Sequence, residues 1–285
     1  MSDNLSHFAF EVFRLAVWLA LLVAVFVPLE RLFALRTGKA WRPGVLTDLG
    51  YYFLSSLVPA VLLGLPMALV ATAVHTVVPA SYYAAVAALP AWSKIALAFL
   101  VGETGFYWGH RLSHHVPLLW RFHAVHHSPA HLDFLINTRA HPVDMLFTRL
   151  CGLVPLYALG LAGTGAGGAS LPALVIVVGS FWGFFIHANL RWRLGPLEWL
   201  VATPAFHHWH HTRREHIDRN FASMLPALDR LFGTHHLPRE WPAEYGTDTV
   251  MAPTLAGQMV QPFQRPASRA VVSPCTTPGK AASAP

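Results

Sequence analysis

Five long apolar stretches dominate this chain and leave it few ways to fold. Phe8–Phe33 is almost wholly apolar around Glu11, Arg14 and Glu30, and Leu49–Val78 is interrupted by a single histidine, His75. Ile95–Trp108, Leu146–Leu161 and Leu171–His187 complete the set. Each approaches the roughly 20 residues a helix needs to cross a bilayer, the third and fourth being short. Composition agrees: 54% of residues are hydrophobic and 12% are charged, where a soluble domain carries about a quarter charged. The expected fold is all-α, a polytopic membrane protein with about five hydrophobic spans and a cytoplasmic helical cap.

Orientation follows from the basic residues, which concentrate on the cytoplasmic side of membrane proteins. Residues 1–10, 79–93 and 162–170 contain no Lys or Arg. The intervening connections carry Arg31, Arg36, Lys39 and Arg42, then Arg111, Arg121, Arg139 and Arg149, then Arg191, Arg193, Arg213, Arg214, Arg219 and Arg230. That alternation predicts an outside N-terminus and an inside C-terminus. Arginines facing anionic lipid account for the net charge of +6 without a nucleic-acid partner. Phe8–Phe33 lacks the basic flank and small-residue cleavage site of a signal peptide, so it reads as a retained first span. Cys151 and Cys275 make no disulfide framework.

The expected organisation is spans one to three in 1–109, a cytoplasmic polar block in 110–145, a transmembrane hairpin in 146–188, a second cytoplasmic block in 189–250, and a disordered tail in 251–285 rich in Pro, Ala, Ser and Thr. Gly163-Thr-Gly165-Ala-Gly-Gly168 fits a dinucleotide-binding pattern but has neither a preceding strand nor a later acidic residue, so it reads as the hairpin turn.

The two polar blocks hold the chemistry. Of 18 histidines, 14 fall between His110 and His216, ten of them in three clusters: His110–His115, His123–His127 and His207–His211. Residues three and four apart share a helix face, so each cluster aims two or three imidazoles at one point. Imidazole is a strong ligand for iron, zinc, copper and nickel. Three such boxes exceed the needs of one ion and point to a two-metal site. No Glu-x-x-His pair of the soluble carboxylate-bridged di-iron bundles occurs, nor a His-Glu-x-x-His of zinc proteases, and neither cysteine lies near a box. A histidine-rich, carboxylate-poor site for iron-type chemistry is left. Asp133, Asp144, Glu198 and Asp218 are candidate acceptors for the outward ring N–H of ligating histidines.

These residues resemble the sterol desaturase and fatty acid hydroxylase superfamily. Tyr107-Trp-Gly-His110-Arg-Leu-Ser-His114 and Leu119-Trp-Arg-Phe-His123-Ala-Val-His126-His127-Ser128 are similar to its first two boxes. Asn137-Thr-Arg139-Ala-His141-Pro142, His187-Ala-Asn189, Pro204-Ala-Phe-His207-His-Trp-His210-His211, and Asp218-Arg-Asn220 through Leu231-Phe232-Gly233-Thr234 follow in order, covering roughly 100–235. The resemblance implies a membrane oxidase whose two iron ions use O2 to hydroxylate or desaturate a lipid. It implies His110, His114, His123, His126, His127, His207, His210 and His211 as ligands, with His187 a ninth. His115, His141 and His208 stay open, as ligands or as neighbours. Asp144 stands where the family more often has Glu, and Ala222 where a glycine commonly follows the aromatic residue.

No NAD, flavin or haem motif is evident, so the resemblance implies a separate electron donor of ferredoxin or cytochrome type. The arginines around Arg191–Arg214 offer a docking surface for it or serve topology. Trp108, Trp120, Phe134, Trp182 and Phe185 are candidates to line a lipid path or to pack the spans. A membrane metal transporter is the competing reading; it would place ligands near mid-bilayer, whereas these boxes flank the spans. A zinc hydrolase acting on lipid would need a general base beside the boxes, and none is evident. The lipid itself, and hydroxylation against desaturation, are not legible.

Overall fold

The computed structural model describes residues 2–38, 41–162 and 170–264. Among them every regular element is helical, and β pairing is limited to two isolated bridges, Ala34 with Leu190 and Thr212 with Tyr245. The glycine-rich 163–168 run lies outside the described residues.

The apolar stretches form α1 (Ser2–Leu32), α2 (Val45–Leu62), α3 (Gly64–Val77), α4 (Ala80–Ala87) and α5 (Ala91–His115). Leu5–Leu32 and the continuous run Val45–Val77 are long and apolar enough to cross a membrane; α4 with α5, bent by 113°, makes a third candidate. Trp18, Leu21, Val25, Val61, Leu65 and Leu69 are exposed on these helices. An unpartnered apolar surface of that extent is unfavourable in water and suits lipid. Five spans were expected, and the difference lies in the second half of the chain. There α7 (Pro142–Ala158) has 17 residues and carries Asp144 in its first turn and Arg149 midway along it, while α8 (Ser170–His187) contributes a shorter apolar segment, Val177–His187.

Between α5 and α7 lie α6 (Pro117–His127) and a 3-10 turn at Phe134–Thr138. After α8 come a 3-10 turn at Gly195–Trp199, α9 (Pro204–His210), α10 (Pro226–Leu231) and α11 (Leu255–Val260). Proline occupies the first turn of α6, α7, α9 and α10, where its missing N–H would have no helical partner anyway. Thr203 caps α9 by accepting the Phe206 N–H at 3.3 Å.

The most extensive helix pairing is α5 with α7. It is close because Gly105 and Gly109 stand four apart on α5: a Cβ on Gly105 would lie 2.1 Å from the Cys151 carbonyl oxygen, and one on Gly109 would lie 2.8 Å from the Cys151 Cβ. Small residues at this spacing are what let two membrane helices touch backbone to backbone. A separate core joins Leu15, Leu22 and Phe26 of α1 to Tyr52, Phe134, Leu135 and Phe184.

The tail departs from expectation. Disorder was expected from 251, yet α11 and the 3-10 turn Gln261–Phe263 pack onto the body. Gln258 is buried and accepts hydrogen bonds from the Tyr51 hydroxyl at 3.0 Å and the Arg139 guanidinium at 3.2 Å. One amide reaching a buried hydroxyl and a buried cation outweighs the local polar, proline-rich composition; residues 265–285 lie outside the described residues.

Candidate metal centre

Helical spacing puts His110 and His114 on one face of α5, and His123, His126 and His127 on one face of α6. His207 and His210 sit on α9 with His211 at its C-cap, and His187 ends α8. The fold brings all nine together as two adjacent groups. His110, His114, His123, His127 and His210 form one; His126, His187, His207 and His211 form the other; within each, one nitrogen per ring lies within 4.8 Å of the rest. Each group draws on more than one box, and the His127 and His211 rings stack between the groups with centroids 4.4 Å apart.

What the outward nitrogens do decides what the inward ones offer. His110 Nδ1 bonds the Phe221 carbonyl at 2.7 Å, His126 Nδ1 the Arg139 carbonyl at 3.1 Å, His187 Nδ1 the Gly183 carbonyl at 2.7 Å and His210 Nδ1 the Arg219 carbonyl at 2.8 Å. His114 Nδ1 bonds Asp218 at 2.9 Å and His123 Nδ1 bonds Asp144 at 3.0 Å. A carbonyl or carboxylate only accepts, so each of these Nδ1 atoms donates and each Nε2 carries a lone pair. The Nε2 atoms of His114, His123, His127 and His210 are buried with no hydrogen-bond partner. In the second group the Nε2 atoms of His126 and His187 face each other at 3.3 Å, although both are acceptors. Buried, unsatisfied lone pairs that converge are costly, and a cation removes that cost. The donor set therefore fits metal ions, with outward partners of the kind that orient metal-bound imidazoles.

One short segment supplies three of those acceptors. Asp218, the carbonyl of Arg219 and the carbonyl of Phe221 hold His114, His210 and His110 respectively. His216, Asp218 and Asn220 there all adopt positive φ, at 54°, 60° and 57°. Asp and Asn are among the residues that tolerate this region best, and Asn220 is pinned because its side chain donates to the carbonyls of Phe206 and His236. Ala222 is buried and its N–H donates to Asp229 at 2.9 Å, without a positive φ, so this chain does not need the family's glycine at that point.

Of the four carboxylates expected to hold histidines, Asp144 and Asp218 do so. Asp133 instead pairs with Arg42 and caps the Phe134 turn, and Glu198 accepts the Leu194 N–H. His208 is completely buried but has both nitrogens occupied, by the Tyr245 hydroxyl at 2.7 Å and the Ala188 carbonyl at 3.1 Å. His141 likewise accepts the Val143 N–H and donates to the Met259 carbonyl. His115 is exposed and joins neither group. Sequence reasoning missed the backbone acceptors, which carry no side-chain signature, and missed Asp48, whose contact with Arg139 at 2.6 Å steadies the carbonyl that His126 uses.

Replacing Asp144 with Asn removes the charge facing His123 and should weaken metal binding about 10–100-fold with little change in helix content. Competition with a chelator of known affinity measures this; unchanged affinity would contradict the role of Asp144.

Burial holds His126 and His208 down to about 3. The sign follows directly. Above the ordinary histidine value of 6.5 the rings are neutral in folded and unfolded chains alike. As pH falls towards 3, the unfolded chain binds protons that the buried rings refuse, so unfolding gains. The metal-free protein should lose thermal stability progressively below about pH 6.5, and a melting temperature flat across that window would contradict it.

A cavity of about 460 Å³ opens from this cluster, bounded at one end by His110, His123, His126, His187 and His207. Its walls come from Leu15, Trp18 and Leu22 of α1, Phe106 of α5, Leu153 and Leu156 of α7, and Phe181 and Phe184 of α8. None of the five aromatic residues that were candidates for a lipid path or for span packing lines this cavity. Trp182 donates to the Ala202 carbonyl, Phe134 stacks on Phe26, and Trp120 lies against His114.

The helices long and apolar enough to cross a membrane thus accompany two groups of buried imidazoles that could hold metal beside a mostly apolar cavity. Residues 95–234 match the family described as Fatty acid hydroxylase. The chain is 36% identical over 184 residues to the ornithine lipid hydroxylase OlsE of Rhizobium tropici, covering 63% of this chain and 53% of that protein. It is 34% identical over 145 residues to human alkylglycerol monooxygenase, covering 50% and 31%, and 28% identical over 155 residues to methylsterol monooxygenase 2-2 of Arabidopsis thaliana, covering 51% and 55%. Over residues 95–234 the chain is similar to this family and to these relatives. It spans about half the length of OlsE and a third of the alkylglycerol monooxygenases it matches. No solved structure matches it.

Proposed function

We propose that this protein is an integral membrane, O2-dependent oxygenase that hydroxylates or desaturates a lipid. The observation that carries the reading is the pairing of two buried imidazole groups with an apolar cavity that begins at their nitrogens. The nine histidines would hold two iron ions, five rings at one and four at the other. Iron so held supplies the O2-derived oxidising power needed to break an unactivated C–H bond, which no side-chain acid or base can attack.

The chain's own residues set the conditions. Carbonyls and carboxylates on the outward Nδ1 atoms fix His110, His114, His123, His126, His187 and His210 in orientation and tautomer. The apolar lining of Leu15, Leu22, Leu153, Leu156, Phe181 and Phe184 takes a hydrocarbon segment and excludes water. Five spans in all, counting α7 and α8, with the boxes on the cytoplasmic side, agree with the alternating basic connections.

Electrons come from a separate donor of ferredoxin or cytochrome type. Its docking is not assigned to the Arg191–Arg214 arginines, because several are engaged: Arg193 bonds three carbonyls in 238–240, Arg213 pairs with Asp248 and Arg214 with Glu244.

Untargeted lipid analysis of cells expressing wild type or His126→Ala tests the function. The expected result is a hydroxylated or newly unsaturated lipid that requires O2, iron and wild-type protein. Identical lipid profiles from iron-loaded wild type and the variant, given electron donor, would overturn it; metal flux without lipid product would favour a transporter.

A further inference from the structure

Four residues lining the cavity are formally charged besides the histidines: Arg14, Glu103, Asp144 and Arg149. Three are engaged. Arg14 pairs with Glu11, Glu103 accepts from the Ser223 hydroxyl and the N–H groups of Met224 and Leu225, and Asp144 accepts from His123 and Ser113. Arg149 is half-buried and, among the described residues, makes no hydrogen bond or ion pair. A guanidinium carries five N–H donors in a planar fork matched to carboxylate and phosphate oxygens. Leaving it unpartnered in a mostly apolar cavity is unfavourable unless a guest supplies the anion.

We propose that Arg149 is the anchor for an anionic group, carboxylate or phosphate, on the amphiphile that occupies this cavity. The claim rests on the reading of the cavity as the lipid site and adds a substrate class to it: anionic amphiphiles rather than neutral ones. Placement supports the assignment. Asp144, Thr148, Arg149, Gly152, Leu153 and Leu156 form one cavity-facing stripe of α7. Arg149 lies five residues, about 7.5 Å of helix rise, beyond Asp144, whose carboxylate holds His123. Side chains lean towards the N-terminus of their helix, which here is the histidine end. An anion seated on Arg149 leaves the apolar walls of α1 and α8 for the hydrocarbon. The engaged state of Arg14 makes it the natural control.

The test is equilibrium binding to the 285-residue chain in an uncharged maltoside detergent, using oleate, oleoyl lysophosphatidate and oleyl alcohol, which share one chain. Wild type should bind at least one of the two anions about tenfold or more tightly than the alcohol, the scale of a charge-assisted contact. Arg149→Leu should abolish that preference while alcohol binding holds, Arg149→Lys should keep much of it, and Arg14→Leu should leave it in place. Whichever anion Arg149 favours identifies the source as carboxylate or phosphate. No anion preference in wild type, or a preference that survives Arg149→Leu or is lost only in Arg14→Leu, would overturn the proposal. Should Arg149→Leu fail to fold, the lysine variant decides: a preference unchanged on moving from a fork to a point charge for both anions, with none lost at high salt, counts against a guanidinium site. If the Arg149-dependent preference holds but no oxidised lipid forms with iron, O2 and reductant, the oxygenase reading falls and the anion site stands.

Discussion

Replacing His210 with alanine is expected to lower bound iron from two ions per chain to one and to reduce lipid oxidation to background. His210 belongs to the five-ring group, is almost fully buried, and has its Nδ1 committed to the Arg219 carbonyl, so only its Nε2 is available inward. Loss of a direct ligand should exceed the roughly 10–100-fold effect of losing an outer partner. His207→Ala in the four-ring group should also remove one ion, but a different one, so the double variant should bind none. Metal analysis of purified wild type, both single variants and the double variant measures this. Two ions retained in both singles would remove the basis for the two-group reading, and one ion in wild type would remove it more directly. His208→Ala is the contrast: it sits between the two rings in sequence, but its nitrogens are taken by Tyr245 and Ala188. It should cost stability and leave metal stoichiometry unchanged.

Gly105→Ala is expected to do damage out of proportion to one methyl group. The added carbon would lie 2.1 Å from the Cys151 carbonyl oxygen and 2.9 Å from both the Cys151 carbonyl carbon and the Gly152 Cα. All three are backbone atoms, so relief requires α5 and α7 to separate. Overpacking of this kind typically costs about 1–3 kcal/mol, and here it also pulls His110 and His114 on α5 away from the His123 partner Asp144 on α7. The melting temperature in detergent should fall and metal affinity with it. Gly179→Ala on α8 provides the control: a Cβ there meets nothing within 4 Å, and alanine is better than glycine in a helix by about 0.5–1 kcal/mol. Equal melting of wild type and Gly105→Ala would show that the α5–α7 contact does not hold the site together.

Much of the site was legible because its signals are local. Box spacing on a helix assigns a face without knowledge of the fold, and all nine histidines singled out converge. Asp144 and Asp218 were legible as carboxylates near boxes, but so were Asp133 and Glu198, which do other work. Sequence proximity cannot separate these cases, since each depends on which ring the chain brings opposite. The cavity walls were not legible for a similar reason. Trp120 packs against His114 and Phe134 against Phe26, while the cavity walls come from α1, α5, α7 and α8, with α1 more than 80 positions away in sequence from the first box. The order of 251–264 was hidden because composition reports average tendency, whereas Gln258 is held by two specific buried partners.

By itself the sequence determined the helices, their apolarity and the faces that carry imidazole, because these follow from residue type and a 3.6-residue period. The tertiary structure alone decided the grouping into five rings and four, the Nδ1 partners of six of them, and the place of His141 and His208 outside both groups with both nitrogens bonded. It also placed Arg149 at the cavity wall without a hydrogen bond or ion pair among the described residues. Those outcomes depend on distances between segments far apart in the chain, set by the glycine-lined approach of α5 to α7 and by the left-handed turns of 216–220, and no local period encodes them.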